Sequence, residues 1–389
     1  MQIEQLLGLM AQNGASDLFV TAGVPASMKV HGQVEPLGDD ALSADQAREM
    51  VFSIMNPAQR EEFQRTRESN FALQSGAGRF RVNVFQQQNN VGMVVRRIET
   101  RVPTIDELEL PKELKDIAMA PRGLVLVVGP TGTGKSTSLA AMVSHRNRHG
   151  RGHIVAIEDP IEFVHNPEGC IITQREVGID TDSYEAALQN TMRQAPDVVL
   201  VGEIRSREAM AHAITFAETG HLCLATLHAT NAVQTLERVV NFFPRDRRDH
   251  LLMDMSYNLR AIIAQRLIPS VDGRRRVPAL EVLFNTPLVA ELILRGDISA
   301  IKELMRRGTE QGMRTFNRAV YQLYAAGVIS YESAIQYADS ANEVRLMIKL
   351  DAGVKADELS VALDMAGLVP SPAPDDGSLI VSRSNIVGQ

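Results

Sequence analysis

The stretch "GLVLVVGPTGTGKSTSLAAMVSH", residues 123–145, decides how the chain is to be read. It opens as a short run that is apolar at every position, the pattern of a strand covered on both faces. "GPTGTGKS" then fits G-x-x-x-x-G-K-[ST], and "TSLAAMVSH" carries on as a helix, the context that gives the motif its meaning. Gly129, Pro130, Thr131, Gly132, Thr133 and Gly134 form a loop whose backbone N–H groups can turn inward around phosphates. The start of the following helix adds positive potential at the same place. Lys135 reaches the β and γ phosphates, Ser136 offers a hydroxyl to Mg²⁺, and Thr137 completes the cradle. A nucleoside triphosphate site follows, with Mg²⁺ beside the phosphates.

Three more runs share the texture: "HIVAIED" (153–159), "DVVLVGE" (197–203) and "HLCLATLH" (221–228), each separated from the next by helical stretches. Alternation of this kind predicts an α/β fold with a parallel sheet. Parallel strands present their C-terminal ends to ligand. That rule favours Glu203, at the end of "APDVVLVGEIR", over Asp197 at its start, for binding Mg²⁺ or activating water. "IVAIEDPIEF" places Glu158, Asp159 and Glu162 around a proline in the same region. His228 closes its run where a γ-phosphate sensor would sit, with the hydroxyls of Thr226 and Thr230 alongside. His221, at the other end, suits a role in the sheet or toward a neighbouring subunit. The two imidazoles fall on opposite faces of an ideal strand, so they are not a metal pair.

Away from this centre the texture changes. The first hundred or so residues mix short strands and helices into a small α+β unit. Capping patterns stand at Ser43 with Gln46 and at Asn56 before a proline, and "RFRVNVFQQQNNVGMVVRRIE" reads as a hairpin. A Pro- and acid-rich linker carries a further capping pair, Thr104 with Glu107, and predicts a short helix. Beyond Leu283 the periodicity is helical, and "GLVPSPAPDDGS" marks a tail expected to be disordered. The basic runs "PRDRRDH" (244–250) and "DGRRRVP" (272–278) read as solvated loops, and the Met-rich "LLMDMS" as helix core. A chain of 389 residues with net charge −7 is a poor nucleic-acid binder. It has two well-separated cysteines, no secretory signal and no run of about 18 apolar residues, so a cytoplasmic protein without membrane insertion is expected.

In order and spacing, "GPTGTGKS", "IEDPIEF", "DVVLVGEIR" and "TGHLCLATLHATN" resemble the Walker A, Asp-box, Walker B and His-box elements of the secretion-type hexameric ATPases. The resemblance runs over almost the whole chain and is strongest to the type IV pilus retraction ATPases, the PilT and PilU group, on the PilU side. It implies a RecA-like P-loop domain (116–350) with a parallel-rich sheet and short C-terminal helices. A small PAS-like α+β domain (1–99) and a linker (100–115) precede it, and a tail (351–389) follows. It also implies a homohexamer at the inner-membrane pilus platform, peripheral to that membrane, driving or assisting retraction and twitching motility. Glu203 becomes the catalytic carboxylate, Glu162 positions water or Mg²⁺, and His228 senses the γ-phosphate. Arg81 and Arg96 lead the arginine-finger candidates, ahead of Arg79 and Arg97. "TPLVAELILRGD" (286–297) departs from the retraction motor's AIRNLIRE motif, a difference that bears on autonomous retraction and not on ATP binding. Three alternatives stay open. One is an accessory ring subunit dependent on a paralogous motor, one an assembly or secretion ATPase, and one a DNA-stimulated motor. The second usually carries a four-cysteine zinc element that two cysteines cannot build.

Overall fold

The structure is a computed structural model that describes residues 2–30, 32–98, 101–307 and 312–351. The expected disordered tail falls almost wholly on residues 352–389 and lies outside the described residues.

Six antiparallel strands form a first sheet: β1 (Asp17–Val20), β2 (Ser27–Val30), β3 (Gln33–Pro36), β4 (Glu68–Ser75), β5 (Gly78–Gln87) and β6 (Asn90–Arg97), in the order β3-β2-β1-β6-β5-β4. The hairpin read from the sequence is β5–β6. Its two connecting residues, Gln88 and Asn89, both have positive φ (45° and 63°), the conformation that matches the twist of the flanking strands. Helices α1 (Ile3–Gln12), α2 (Ala44–Ser53) and α3 (Pro57–Thr66) close a core on this sheet with Phe80, Val82 and Val95. Ser43 and Gln46 form the reciprocal cap of α2, and Asn56 with Gln59 that of α3.

A second sheet has seven strands: β7 (Gly123–Val128), β8 (Gly152–Glu158), β9 (Cys170–Glu176), β10 (Val198–Val201), β11 (Leu222–Leu227), β12 (Leu259–Pro269) and β13 (Arg276–Phe284). Their order is β13-β12-β7-β11-β10-β8-β9, parallel throughout except for the β12–β13 pair. Leu124, Leu126 and Val128 point into one apolar core and Val125 and Val127 into another, which is why β7 tolerates no polar residue. The helices over the two faces are α4 (Glu113–Ala118), α5 (Lys135–His149), α6 (Tyr184–Thr191), α7 (Arg207–Glu218), α8 (Ala232–Phe242) and α9 (Arg248–Asn258). Then α10 (Pro287–Leu294), α11 (Ile298–Arg307), α12 (Phe316–Ala325) and α13 (Tyr331–Tyr337) follow, with a last helical run over residues 341–351.

Some local expectations shift. Thr104 and Glu107 do exchange their capping hydrogen bonds, at 2.8 and 3.1 Å, but they close a turn and the short helix starts later, at Glu113. The run at 244–250 is exposed yet helical, since a 3₁₀ turn over Arg245–Arg247 leads straight into α9. Residues 272–275 form the exposed β12–β13 turn, where Arg275 pairs with Glu109 at 2.6 Å, while 276–278 already belong to β13 with Val277 buried, so only the first part of the run is a solvated loop. Within "LLMDMS", Leu251 and Met255 are core while Met253 is exposed.

Candidate active site

The P-loop leaves β7 at Val128 and ends where α5 begins at Lys135. Gly134 caps α5 in the left-handed region, φ 83°, and a Cβ there would stand 2.9 Å from Gln265 Nε2. A Cβ on Gly129 would stand 2.7 Å from the Gln265 carbonyl oxygen. Gly129 therefore excludes a side chain by contact with the β12 backbone, and Gly134 disfavours one by its left-handed φ, with the Gln265 amide close by. Buried Gln265 also accepts a hydrogen bond from Ser138 Oγ at 2.7 Å, which ties the first turn of α5 to that strand. Within the loop, Lys135 Nζ donates to the carbonyls of Gly129 (2.8 Å) and Pro130 (2.9 Å), and Thr133 Oγ1 donates to Pro130. Partial burial holds the Lys135 ammonium below the ordinary lysine range, against the opposing charges of Glu203 and Glu162.

Because β7, β11, β10 and β8 are adjacent and parallel, their C-terminal ends open onto one cleft of about 520 Å³. Thr131, Gly132, Gly134, Lys135, Ser136 and Thr137 form one wall, and Glu158, Asp159, Glu162, Glu203 and His228 stand across from it. His228 Nε2 lies 2.9 Å from Glu203 Oε1, and its Nδ1 lies 3.3 Å from the Gly129 carbonyl. The imidazole thus bridges the carboxylate at the end of β10 to the root of the P-loop. Burial pushes Glu203 up, but a 2.7 Å hydrogen bond from Arg205 and the charges of His228, Arg205 and Lys135 outweigh it. The result is a carboxyl group below its usual range, ionised at neutral pH. Arg205 also stands 3.6 Å from Asp159, linking the two acidic segments. Glu158 behaves oppositely. Its burial, with Glu162 and Glu176 nearby and a 3.0 Å hydrogen bond from Gln174 only partly compensating, pushes it up to about 7.

The sequence candidates separate as follows. Glu162, Glu203, His228 and most of the P-loop come together. Asp197 sits at the far end of its strand, accepting from His153 N at 2.7 Å. His221 is also remote, bound to Thr219 and the Phe216 carbonyl. The hydroxyls of Thr226 and Thr230 are turned to Gly202 O and Gln234 Oε1 and do not reach His228. Arg81 and Arg96 do not line the cleft of their own chain: Arg96 Nε is held by Asp17 at 2.7 Å, and Arg81 Nε stands 3.9 Å from buried Glu176. Arg205 and Tyr184, which line the cleft, and Gln265, which holds the P-loop helix, are not singled out by the sequence. Arg205 carried a local signal, two residues past an expected catalytic acid, whereas the other two become visible only once the strands are paired. The hard oxygen donors of Ser136, Glu162, Glu203 and Asp159 on facing walls suit Mg²⁺.

A phosphate cradle at the C-terminal edge of a parallel sheet, facing a carboxylate–imidazole pair, defines a P-loop nucleotide hydrolase. More narrowly, the chain belongs to the type II/IV secretion system protein family, whose model matches residues 2–349. It is 59% identical to the type IV pilus ATPase PilU of Pseudomonas aeruginosa, over 92% of this chain and 94% of that protein. It is 41% identical to the type IV pilus retraction ATPase PilT of the same organism, over 87% and 98%. The crystal structure of the pilus retraction motor PilT with bound ADP superposes with a TM-score of 0.83, at 34% identity, over 89% of this chain and 99% of that one. The resemblance read from the motifs is borne out by these relatives.

Proposed function

We propose that the chain is an ATP-hydrolysing motor subunit of the type IV pilus machinery, powering or assisting pilus retraction. The observation that carries the reading is the contact of His228 with both Glu203 and Gly129, which puts acid, imidazole and phosphate loop at one point. The P-loop amides and Lys135 hold the phosphates. Ser136 and Glu203 are the residues that would hold Mg²⁺, which supplies charge neutralisation to the transferring phosphoryl group. Glu203, kept ionised, orients and polarises the attacking water, with Glu162 positioned to share that work. His228 follows the γ-phosphate, because its ring already touches the loop that binds it.

The reading extends to a homohexamer in which the first sheet of one subunit covers the cleft of the next. Arg81 is the better finger of the two, because Arg96 is pinned by a 2.7 Å ion pair. A finger of this kind is worth about 10³–10⁵ in rate in other NTPases. The ring works in the cytoplasm against the inner-membrane pilus platform, beside a paralogous retraction ATPase. In cells lacking this chain, twitching is expected to fall and to return with the wild-type protein but not with Lys135→Ala. Equal rescue by Lys135→Ala would leave only the accessory, non-hydrolysing role.

A further inference from the structure

Two consecutive residues of β12 look in opposite directions, as strand geometry requires. Gln265 grips the P-loop helix. Arg266, on the other face, reaches four groups. Its Nη1 donates to Tyr337 O at 2.9 Å, and its Nη2 donates to Asp339 Oδ1 at 2.5 Å and lies 3.4 Å from Thr230 O. The guanidinium carbon sits 4.0 Å above the centre of the Phe316 ring. On the neighbouring strand, buried Glu281 accepts from Ala232 N at 2.8 Å and from Phe316 N at 3.4 Å. Ala232 and Phe316 are the first residues of α8 and α12.

Thr230 and Ala232 lie in the segment that leads from His228 into α8. The same two side chains therefore hold this segment on one side and the C-terminal helical end on the other. A planar guanidinium fixed by an ion pair, two carbonyls and an aromatic face has little freedom, so it passes displacement on rather than absorbing it. We propose that Arg266 is a positioning residue for His228, setting the His228 segment from the C-terminal helices so that movement of α12 and α13 alters hydrolysis without altering nucleotide binding. This rests on the placement of His228 at the terminal phosphate.

The test is a cycle of wild type, Arg266→Gln, His228→Ala and the double variant of the full chain. Single-turnover ATP hydrolysis is measured together with affinity for a non-hydrolysable ATP analogue. Arg266→Gln is expected to slow hydrolysis about tenfold, within the range that small misplacements of a catalytic group cause, with analogue affinity held within about twofold. In the His228→Ala background the same substitution is expected to cost less than about twofold, since its target is gone. Should Arg266→Gln melt early, Asp339→Asn is read in the same cycle, because it loosens the same ion pair while keeping the side chain's shape. A full, independent effect in both backgrounds, or no effect in either, overturns the inference alone. Undiminished hydrolysis by His228→Ala overturns the site reading, and the inference with it.

Discussion

Glu158 ends its strand within the cleft wall and ionises near neutrality, so the charge of the site changes across the working pH range. Its carboxyl is pushed up to about 7 from an ordinary 4.5. In that window the folded chain binds the proton more tightly than the unfolded chain does. The stabilisation is complete below about 4.5 and is lost as pH rises through about 7. Glu158→Gln keeps an acceptor for Gln174 and removes the charge. Its melting temperature is expected to exceed that of the wild type by several degrees at pH 8, and the gap to close by pH 5. A shift of the same size at both pH values in thermal melts would contradict this assignment. Among single residues, Glu203 and His228 were legible because each ends an apolar run, and strand ends in a parallel sheet have one meaning. Glu158 was visible as an acid, but its shifted ionisation depends on burial under Gln174 and beside Glu162, which no local pattern carries.

At the scale of elements, the P-loop is held from two sides, by its own glycines and by β12. Gly134→Ala forces a left-handed residue to carry a side chain and drives its Cβ onto Gln265, at a cost of about 1–3 kcal/mol concentrated in the loop. Nucleotide affinity is expected to fall at least tenfold while the circular dichroism spectrum stays that of the wild type. Unchanged affinity in a titration calorimeter would mean that the loop does not depend on this contact. Strands β7, β8, β10 and β11 were legible because their runs are apolar at nearly every position. Three others were not. β9 is an edge strand that leaves Ile171 exposed, so its pattern is mixed. β12 starts at Leu259 directly from α9 with no glycine or proline between, and it carries Gln265 and Arg266 inside an apolar run. β13 contains Pro278, which an edge strand accommodates but which reads as a break in sequence. The β12–β13 pair thus went unseen, although Arg266 and Glu281 on it join the His228 segment to the C-terminal helices.

For the whole molecule, what matters is that two sheets of different character share one chain. The antiparallel sheet carries the arginines and the parallel-rich sheet carries the nucleotide cleft, and within one chain Arg81, an expected finger, stands 3.9 Å from Glu176 on β9. That division was legible from the switch between alternating and continuous apolar runs. Which subunit's arginine meets which cleft was not, because that is a property of the assembly. The cleft itself, with its acid and imidazole, is the claim on which the motor reading depends. The measurement that tests it most directly is phosphate release from Mg²⁺-ATP by the wild-type chain and by Glu203→Gln, with nucleotide affinity measured on the same samples. The expected result is a fall of about 10²–10⁴-fold in turnover for Glu203→Gln, with affinity kept within a few fold. Turnover by Glu203→Gln equal to that of the wild type would contradict the site described.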